Sequence, residues 1–260
     1  MRNEPDPEIP RSALVTGGAR RLGRAMVEAL AEDGWAVAIA CNASEAEAAD
    51  LADAIRGRGG RAEILVCDLT DRAAVRNLVP RAKAAVGPLG CLVNNASVFA
   101  WDTVLAADDA SWDAHVEPNL HTPFVLSQSF ARALPPEAKG VIVNLLDQRV
   151  WNLTPYFTSY TVSKAGLWTL TQTLALALAP RIRVCGIGPG PALPSPRQSA
   201  EEFARQCRSV PLMHGTTPEE IALALRFILA ARSLTGQMIA LDGGQHLGWM
   251  SEGAVRPNSE

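Results

Sequence analysis

The sequence predicts one α/β domain, a doubly wound parallel sheet of about seven strands with helices on both faces. Three observations predict it. Short β-branched apolar runs alternate with longer amphipathic segments from Ser12 to Gly244. A glycine turn, Gly17-Gly18-Ala19-Arg20-Arg21-Leu22-Gly23, follows the first run directly and opens a helix. The run Val141-Ile142-Val143-Asn144-Leu145-Leu146 leads to Asp147 and, thirteen residues later, to Tyr160, with Lys164 one helical turn further on.

In chain order, residues 1–11 are polar and proline-rich and are expected to form a disordered leader, with the folded domain over 12–250 and a tail over 251–260. The leader lacks the charged head and apolar core of a signal peptide. Ser12–Thr16 is the first strand. Strand, glycine turn and helix together make a phosphate-binding start, because glycine lets the backbone approach a pyrophosphate while the helix N-terminus offers free amides. That helix is expected to end near Asp33. The second strand, Ala36 to Cys41, ends in Asn42-Ala43-Ser44, where an NAD site carries an acid for the ribose hydroxyls. That acid is missing. Arg20 and Arg21 lie in the neighbouring turn, and Ser44 opens a helix in a capping box with Glu47, an arrangement that favours a 2′-phosphate and hence NADP(H).

The third strand, Arg61 to Val66, runs into Cys67-Asp68-Leu69-Thr70, which places Asp68 where it could meet an adenine. A helix to Val86 precedes the fourth strand, Cys91 to Asn94, and the segment Asn95-Ala96-Ser97-Val98-Phe99. Two helices are expected next, with Asn119 midway. The central strand ends at Asp147, the Tyr160 helix starts near Ser159, and Arg183 to Ile187 is the sixth strand. The loop Gly188-Pro189-Gly190-Pro191-Ala192-Leu193-Pro194-Ser195-Pro196 reads as a lid on the substrate side. Thr217-Pro218 opens the last long helix with proline at its first position, and Leu234 to Gly244 holds the final strand.

The formal charge of −3 gives no basic footprint for nucleic acid. No apolar run approaches the roughly 20 residues that span a bilayer. Five scattered cysteines, with no Cys-x-x-Cys pair, read as free thiols in a cytoplasmic protein. His115, His121, His214 and His246 show no metal-ligand spacing, so no metal is expected. The chemistry concentrates at Tyr160 and Lys164: a tyrosine transfers protons at neutral pH only when its phenolate is stabilised, and a lysine on the same helix face does that. Asp147 leaves the carboxyl end of a strand, the edge at which ligands sit in open α/β sheets.

These pieces together resemble the short-chain dehydrogenase/reductase family, whose fold is Rossmann-type, over about Ser12 to Gly248. The matching motifs are the Thr16-Gly17 turn with Gly23, Asp68, Asn94-Asn95-Ala96, Asn119, Tyr160-x-x-x-Lys164, Pro189-Gly190 and Asp242-Gly243-Gly244. The resemblance implies that Tyr160 is the acid/base, that Lys164 lowers its pKa and holds the nicotinamide ribose, and that Asn119 supports a relay water. It implies a cofactor site of Gly17, Arg20, Arg21, Leu22, Gly23, Asn42, Ser44, Asp68, Leu69, Asn95, Ala96, Tyr160, Lys164, Pro189 and Gly190, and a homotetramer.

Two departures narrow the substrate. The family's middle glycine is Arg21, and its usual serine is Asp147. A carbonyl reductase needs a hydroxyl donor at that serine, and a carboxylate accepts hydrogen bonds and repels a developing oxyanion. Both departures are similar to the pteridine reductase branch, as is Asn-Asn-Ala-Ser-x-Phe at 94–99. By that likeness Phe99 stacks on the substrate, Ser97 and Arg21 bind substrate and cofactor, and Asp147 with Tyr160 handles the proton. The expected activity is NADPH-dependent reduction of a C=N bond in a dihydropterin or dihydrofolate. The alternatives are a carbonyl or 3-oxoacyl reductase and, from another class, an NADP(H)-binding regulatory protein without turnover. Gln148-Arg149-Val150-Trp151 matches no known pterin contact.

Overall fold

The computed structural model describes residues 6–195 and 198–248. Seven parallel strands form one sheet: β1 Ser12–Thr16, β2 Ala36–Cys41, β3 Arg61–Val66, β4 Cys91–Asn94, β5 Gly140–Leu145, β6 Ile182–Pro189 and β7 Met238–Leu241. Their order is β3-β2-β1-β4-β5-β6-β7. The direction of winding reverses between β1 and β4, so the carboxyl ends of those strands part and leave a crevice.

Strand side chains alternate between two cores, as the period of two demands. From β1, Ala13 and Val15 face α1 (Arg21–Glu32), α2 (Glu45–Gly57) and α8 (Pro218–Ala230), while Leu14 faces α3 (Arg72–Val86) and α5 (Thr122–Ala133). Both faces are therefore apolar, and the strands read as continuous hydrophobic runs. The helix α6, Thr158–Leu178, is fixed to the sheet by a buried ladder. Asn94 Nδ2 donates to Asn144 Oδ1 at 2.8 Å, and Asn144 Nδ2 donates to Thr171 Oγ1 at 2.9 Å.

Strand and helix spans match the sequence reading closely, with four differences. The described part of the expected leader, residues 6–11, is packed: Ile9 is 4% exposed in the core, and the Glu8 carbonyl accepts from Lys139 N at 3.0 Å. A polar composition concealed one buried apolar residue and a backbone bond. The two helices around Asn119 are one continuous rod, α4 (Asp109–Val116) passing through a π turn, Glu117–His121, into α5. Ser44 makes no side-chain cap on α2, and the Glu47 side chain that would complete a capping box pairs with Arg20 at 3.3 Å. One further short helix, α7 at Ala200–Arg208, follows the proline-rich loop. Pro196, Trp249 and the tail 251–260 lie outside the described residues.

Candidate active site

The site begins at the β1–α1 turn. Gly17 takes φ +61°, and a Cβ on Gly23 would sit 2.1 Å from the Gly17 carbonyl oxygen, so the turn is closed tightly and only glycine fits there. Asn95 braces it, donating from Nδ2 to the carbonyls of Thr16 and Gly17 at 2.9 and 3.0 Å. Thr16 Oγ1 accepts from the amides of Asn95 and Ala96 at 3.0 and 3.1 Å. The N-terminus of α1 carries no side-chain cap and no acid in its first turn, so its amides remain available to an anion.

A cleft of about 480 Å³ lies over this turn, lined among others by Gly17, Arg20, Leu22, Gly23, Asn42, Ser44, Leu69 and Ala96. It continues into a second of about 400 Å³, with Arg21, Leu22, Asn95 and Ser97 lining both. The glycine cradle, the uncapped helix and the two adjoining clefts fit a dinucleotide. Asp68 is absent from both linings although Cys67 and Leu69 line the first. Its carboxylate accepts from Thr70 N and Oγ1 at 2.9 and 2.8 Å, bonds that hold it below the ordinary carboxylate range.

The second cleft holds the proton-transfer group. Tyr160 donates to Asp147 Oδ2 at 2.8 Å, and Lys164 Nζ donates to the Leu145 carbonyl at 2.8 Å. Burial of Lys164, 2% exposed, pushes its ammonium down to about 8, while Asp147 opposes that shift. Phe99 stacks on Phe157 with centroids 4.5 Å apart and meets Tyr160 edge-on at 4.7 Å. Ser97, Pro189 and Gly190 also line this cleft. Asn119, fully buried in the π turn, spends its side chain on structure: Oδ1 accepts from Val98 N at 2.8 Å and Nδ2 donates to Val98 O at 2.9 Å and Ser163 Oγ at 3.1 Å.

Arg21 is held at φ +54°, and its guanidinium donates to the carbonyls of Pro194 and Leu193 at 2.9 and 3.2 Å. This ties the phosphate turn to the proline-rich loop, whose Pro191, Ala192, Leu193 and Ser195 line the cleft. Sequence reasoning placed Arg21 here but did not foresee that bond.

Other site residues went unforeseen. Phe157, buried at φ +57°, precedes α6 and provides no side-chain cap. Asp102, 57 residues away, takes over, accepting from Ser159 N at 3.3 Å and from Ser159 Oγ. Ser159 Oγ also meets His115 Nδ1 at 2.7 Å, while His115 Nε2 accepts from Ala100 N at 3.0 Å. Arg149, with a side chain 10% exposed, lies 3.6 Å from Asp147 and within 5.5 Å of the centroids of both Phe99 and Phe157. Only the adjacency of Arg149 to Asp147 was visible beforehand. His246 pairs with Asp242 at 2.8 Å.

Among the described residues no helix is long and apolar enough to cross a membrane, and no group of three or more His, Cys, Asp or Glu could hold a metal. Cys41, Cys67, Cys91 and Cys185 are buried free thiols, and burial pushes Cys91 up to about 12 and Cys185 to about 11.

A strand–glycine–helix start joined at the switch point to a buried Tyr–Lys pair is the frame of a dinucleotide-dependent oxidoreductase. The profile described as short chain dehydrogenase matches residues 11–204, and the chain belongs to the short-chain dehydrogenase/reductase family. Its similarity is high to FolM alternative dihydrofolate reductase 1 from Brucella canis complexed with NADP: 48% identity, TM-score 0.91, covering 95% of this chain and 99% of that one. The Brucella suis counterpart, also with NADP, is 50% identical with TM-score 0.90, covering 92% of this chain and 96% of that one. Curated relatives include galactitol 2-dehydrogenase of Rhizobium johnstonii, 35% identical over 89% of this chain and 93% of its own. 3-Oxoacyl-[acyl-carrier-protein] reductase FabG of Thermotoga maritima is 31% identical over 89% of this chain and 96% of its own.

Proposed function

We propose that the protein is an NADPH-dependent reductase of a dihydropterin or dihydrofolate, acting on a ring C=N bond, and that it works in the cytoplasm as a homotetramer. The observation that carries the substrate assignment is the Asp147 carboxylate, bonded at 2.8 Å to Tyr160 where a carbonyl reductase needs a hydroxyl. The Brucella FolM structures, named as dihydrofolate reductases with NADP, support the same reading.

The β1–α1 turn, Arg20, Arg21, Leu22, Asn42, Ser44, Asn95, Ala96, Lys164, Pro189 and Gly190 would hold the dinucleotide. Arg20 and the acid-free Asn42 suit a 2′-phosphate, which would compete with Glu47 for the arginine. Bound NADPH supplies the hydride. The chain's own residues do the rest. Phe99, 37% exposed, offers a flat apolar surface beside Tyr160 for a bicyclic ring. Asp147 accepts hydrogen bonds from ring N–H and amino groups, which a pterin has and a simple ketone lacks. The Tyr160–Asp147 pair carries the proton destined for the substrate nitrogen, and the Lys164 ammonium stabilises the phenolate left behind.

The test is loss of nicotinamide absorbance with dihydrobiopterin, dihydromonapterin or dihydrofolate, using Tyr160→Phe as control. Turnover that disappears in the variant is the expected outcome. Silence on all three, with NADPH bound and ketones reduced, assigns the protein to carbonyl chemistry; binding with no turnover on any substrate assigns it to regulation.

A further inference from the structure

Four glutamines line the cleft that holds Tyr160: Gln148, Gln198, Gln206 and Gln245. Gln198 Nε2 donates to Gln206 Oε1 at 2.9 Å, and Gln198 Oε1 accepts from Ser195 N at 3.0 Å. Gln245 is half-buried. Gln148 differs from these: it is 4% exposed, and among the described residues no donor reaches its Oε1. Its backbone, by contrast, is fixed. The Gln148 carbonyl accepts from Trp151 N at 3.0 Å and Asn152 N at 3.3 Å, closing the turn that follows Asp147. A buried acceptor without a donor costs the folded protein free energy, so its presence at a ligand cleft calls for a partner that the ligand brings.

The turn sets Gln148 directly after Asp147, whose two oxygens already hold protein donors, Arg149 N on Oδ1 and Tyr160 on Oδ2, each at 2.8 Å. A ring carbonyl on the substrate needs a donor of its own. Arg21 spends its guanidinium on the Leu193 and Pro194 carbonyls, and Lys164 Nζ donates to the Leu145 carbonyl. A carboxamide carries a donor and an acceptor side by side in one plane, which is the complement of a ring lactam with its adjacent N–H and C=O. The pyrimidine ring of a pterin has that edge. A simple ketone has only the carbonyl.

We propose that Gln148 is a specificity-determining residue: its carboxamide pairs with a lactam edge on the substrate ring, Oε1 accepting from the ring N–H and Nε2 donating to the ring carbonyl. The inference deepens the pterin reading and rests on it for the kind of ring that brings this edge to the cleft. Both bonds form only with a ligand seated, so Gln148 contributes to recognition and nothing to the stability of the free protein.

Calorimetric titration of the full-length protein loaded with oxidised NADP tests it. The probes are dihydrobiopterin, the bicyclic lactam isocarbostyril, and isocoumarin, in which a ring oxygen replaces the lactam N–H. Gln148→Met, similar in length and without the polar atoms, should weaken dihydrobiopterin and isocarbostyril by about tenfold each and leave NADP affinity unchanged. Wild type should bind isocoumarin about tenfold more weakly than isocarbostyril, a gap that closes in the variant. The thermal midpoint of the ligand-free variant should equal or exceed that of wild type, since an unpartnered acceptor has been removed. A lower midpoint gives Gln148 a structural role and overturns the proposal. So does equal affinity of the two proteins for isocarbostyril, or a wild type that does not bind it. Isocarbostyril weakened by the substitution, in a protein that reduces no pterin, strikes the pterin reading and leaves this one standing. If Gln148→Met does not fold, the two bicycles on wild type decide alone, and equal affinities overturn the proposal.

Discussion

At Lys164, burial and function oppose one another. Its ammonium titrates near 8 when folded, against 10.5 as the reference, so the unfolded chain binds more protons across that window. Stability therefore rises with pH from about 8 to 10.5, and below that range the buried charge is a cost. Lys164→Met should stabilise the fold at neutral pH by about 1 kcal/mol once the lost bond to Leu145 is counted, and so raise the thermal midpoint. It should also lower turnover at least about 100-fold. Scanning fluorimetry checks the first part, and a lower midpoint would refute it. Tyr160→Phe should reduce turnover about 10²- to 10⁴-fold with dinucleotide affinity nearly unchanged, read by nucleotide fluorescence. Tyr160, Lys164 and Asp147 were legible in the sequence because helical spacing and a strand end bring them together. Phe157, Asp102 and His115 were not, since their partners come from loops and helices far along the chain.

Among the elements, the start of α6 depends on a carboxylate outside the helix. Asp102→Ala removes the acceptor for Ser159 N and Oγ and should cost about 2 kcal/mol. Because Tyr160 is the next residue, kcat should fall as well. A thermal midpoint within error of wild type would show that the cap is dispensable. The π turn makes a comparable demand. Asn119→Ala leaves Val98 N and O without their partner and should cost about 2–4 kcal/mol, measured by urea unfolding. All seven strands were legible from their β-branched runs. The π turn was not, because one extra residue within a helix leaves the apolar pattern almost unaltered. The Ser44 capping box was misread in its Glu47 half because an exposed arginine of another element takes that carboxylate.

For the whole molecule, the parallel sheet with helices on both faces followed from repeated strand–helix alternation. What escaped was docking of the N-terminal segment. Asp6 receives Lys139 at 3.4 Å, Arg11 O accepts from Ala36 N at 2.9 Å, and Ile9 is buried beside the amino ends of the central strands. Deleting residues 1–10 should therefore cost about 3 kcal/mol, mostly through Ile9, while leaving the distant carboxyl-edge cleft intact. Equal denaturation midpoints for the full and shortened chains would contradict this.

The clasp between Arg21 and the proline-rich loop is unequal at its two ends. Its acceptors are main-chain oxygens, present whatever residues occupy 193 and 194, whereas its donor is one side chain in a left-handed conformation. Mutational drift can therefore rewrite the loop's side chains, and with them the shape of the cleft wall, without undoing the fastening, while almost any change at position 21 undoes it. The architecture thus leaves the wall facing the ligand free to diversify on an unchanging hinge of backbone, which makes the loop the natural place for a lineage or a protein engineer to vary selectivity.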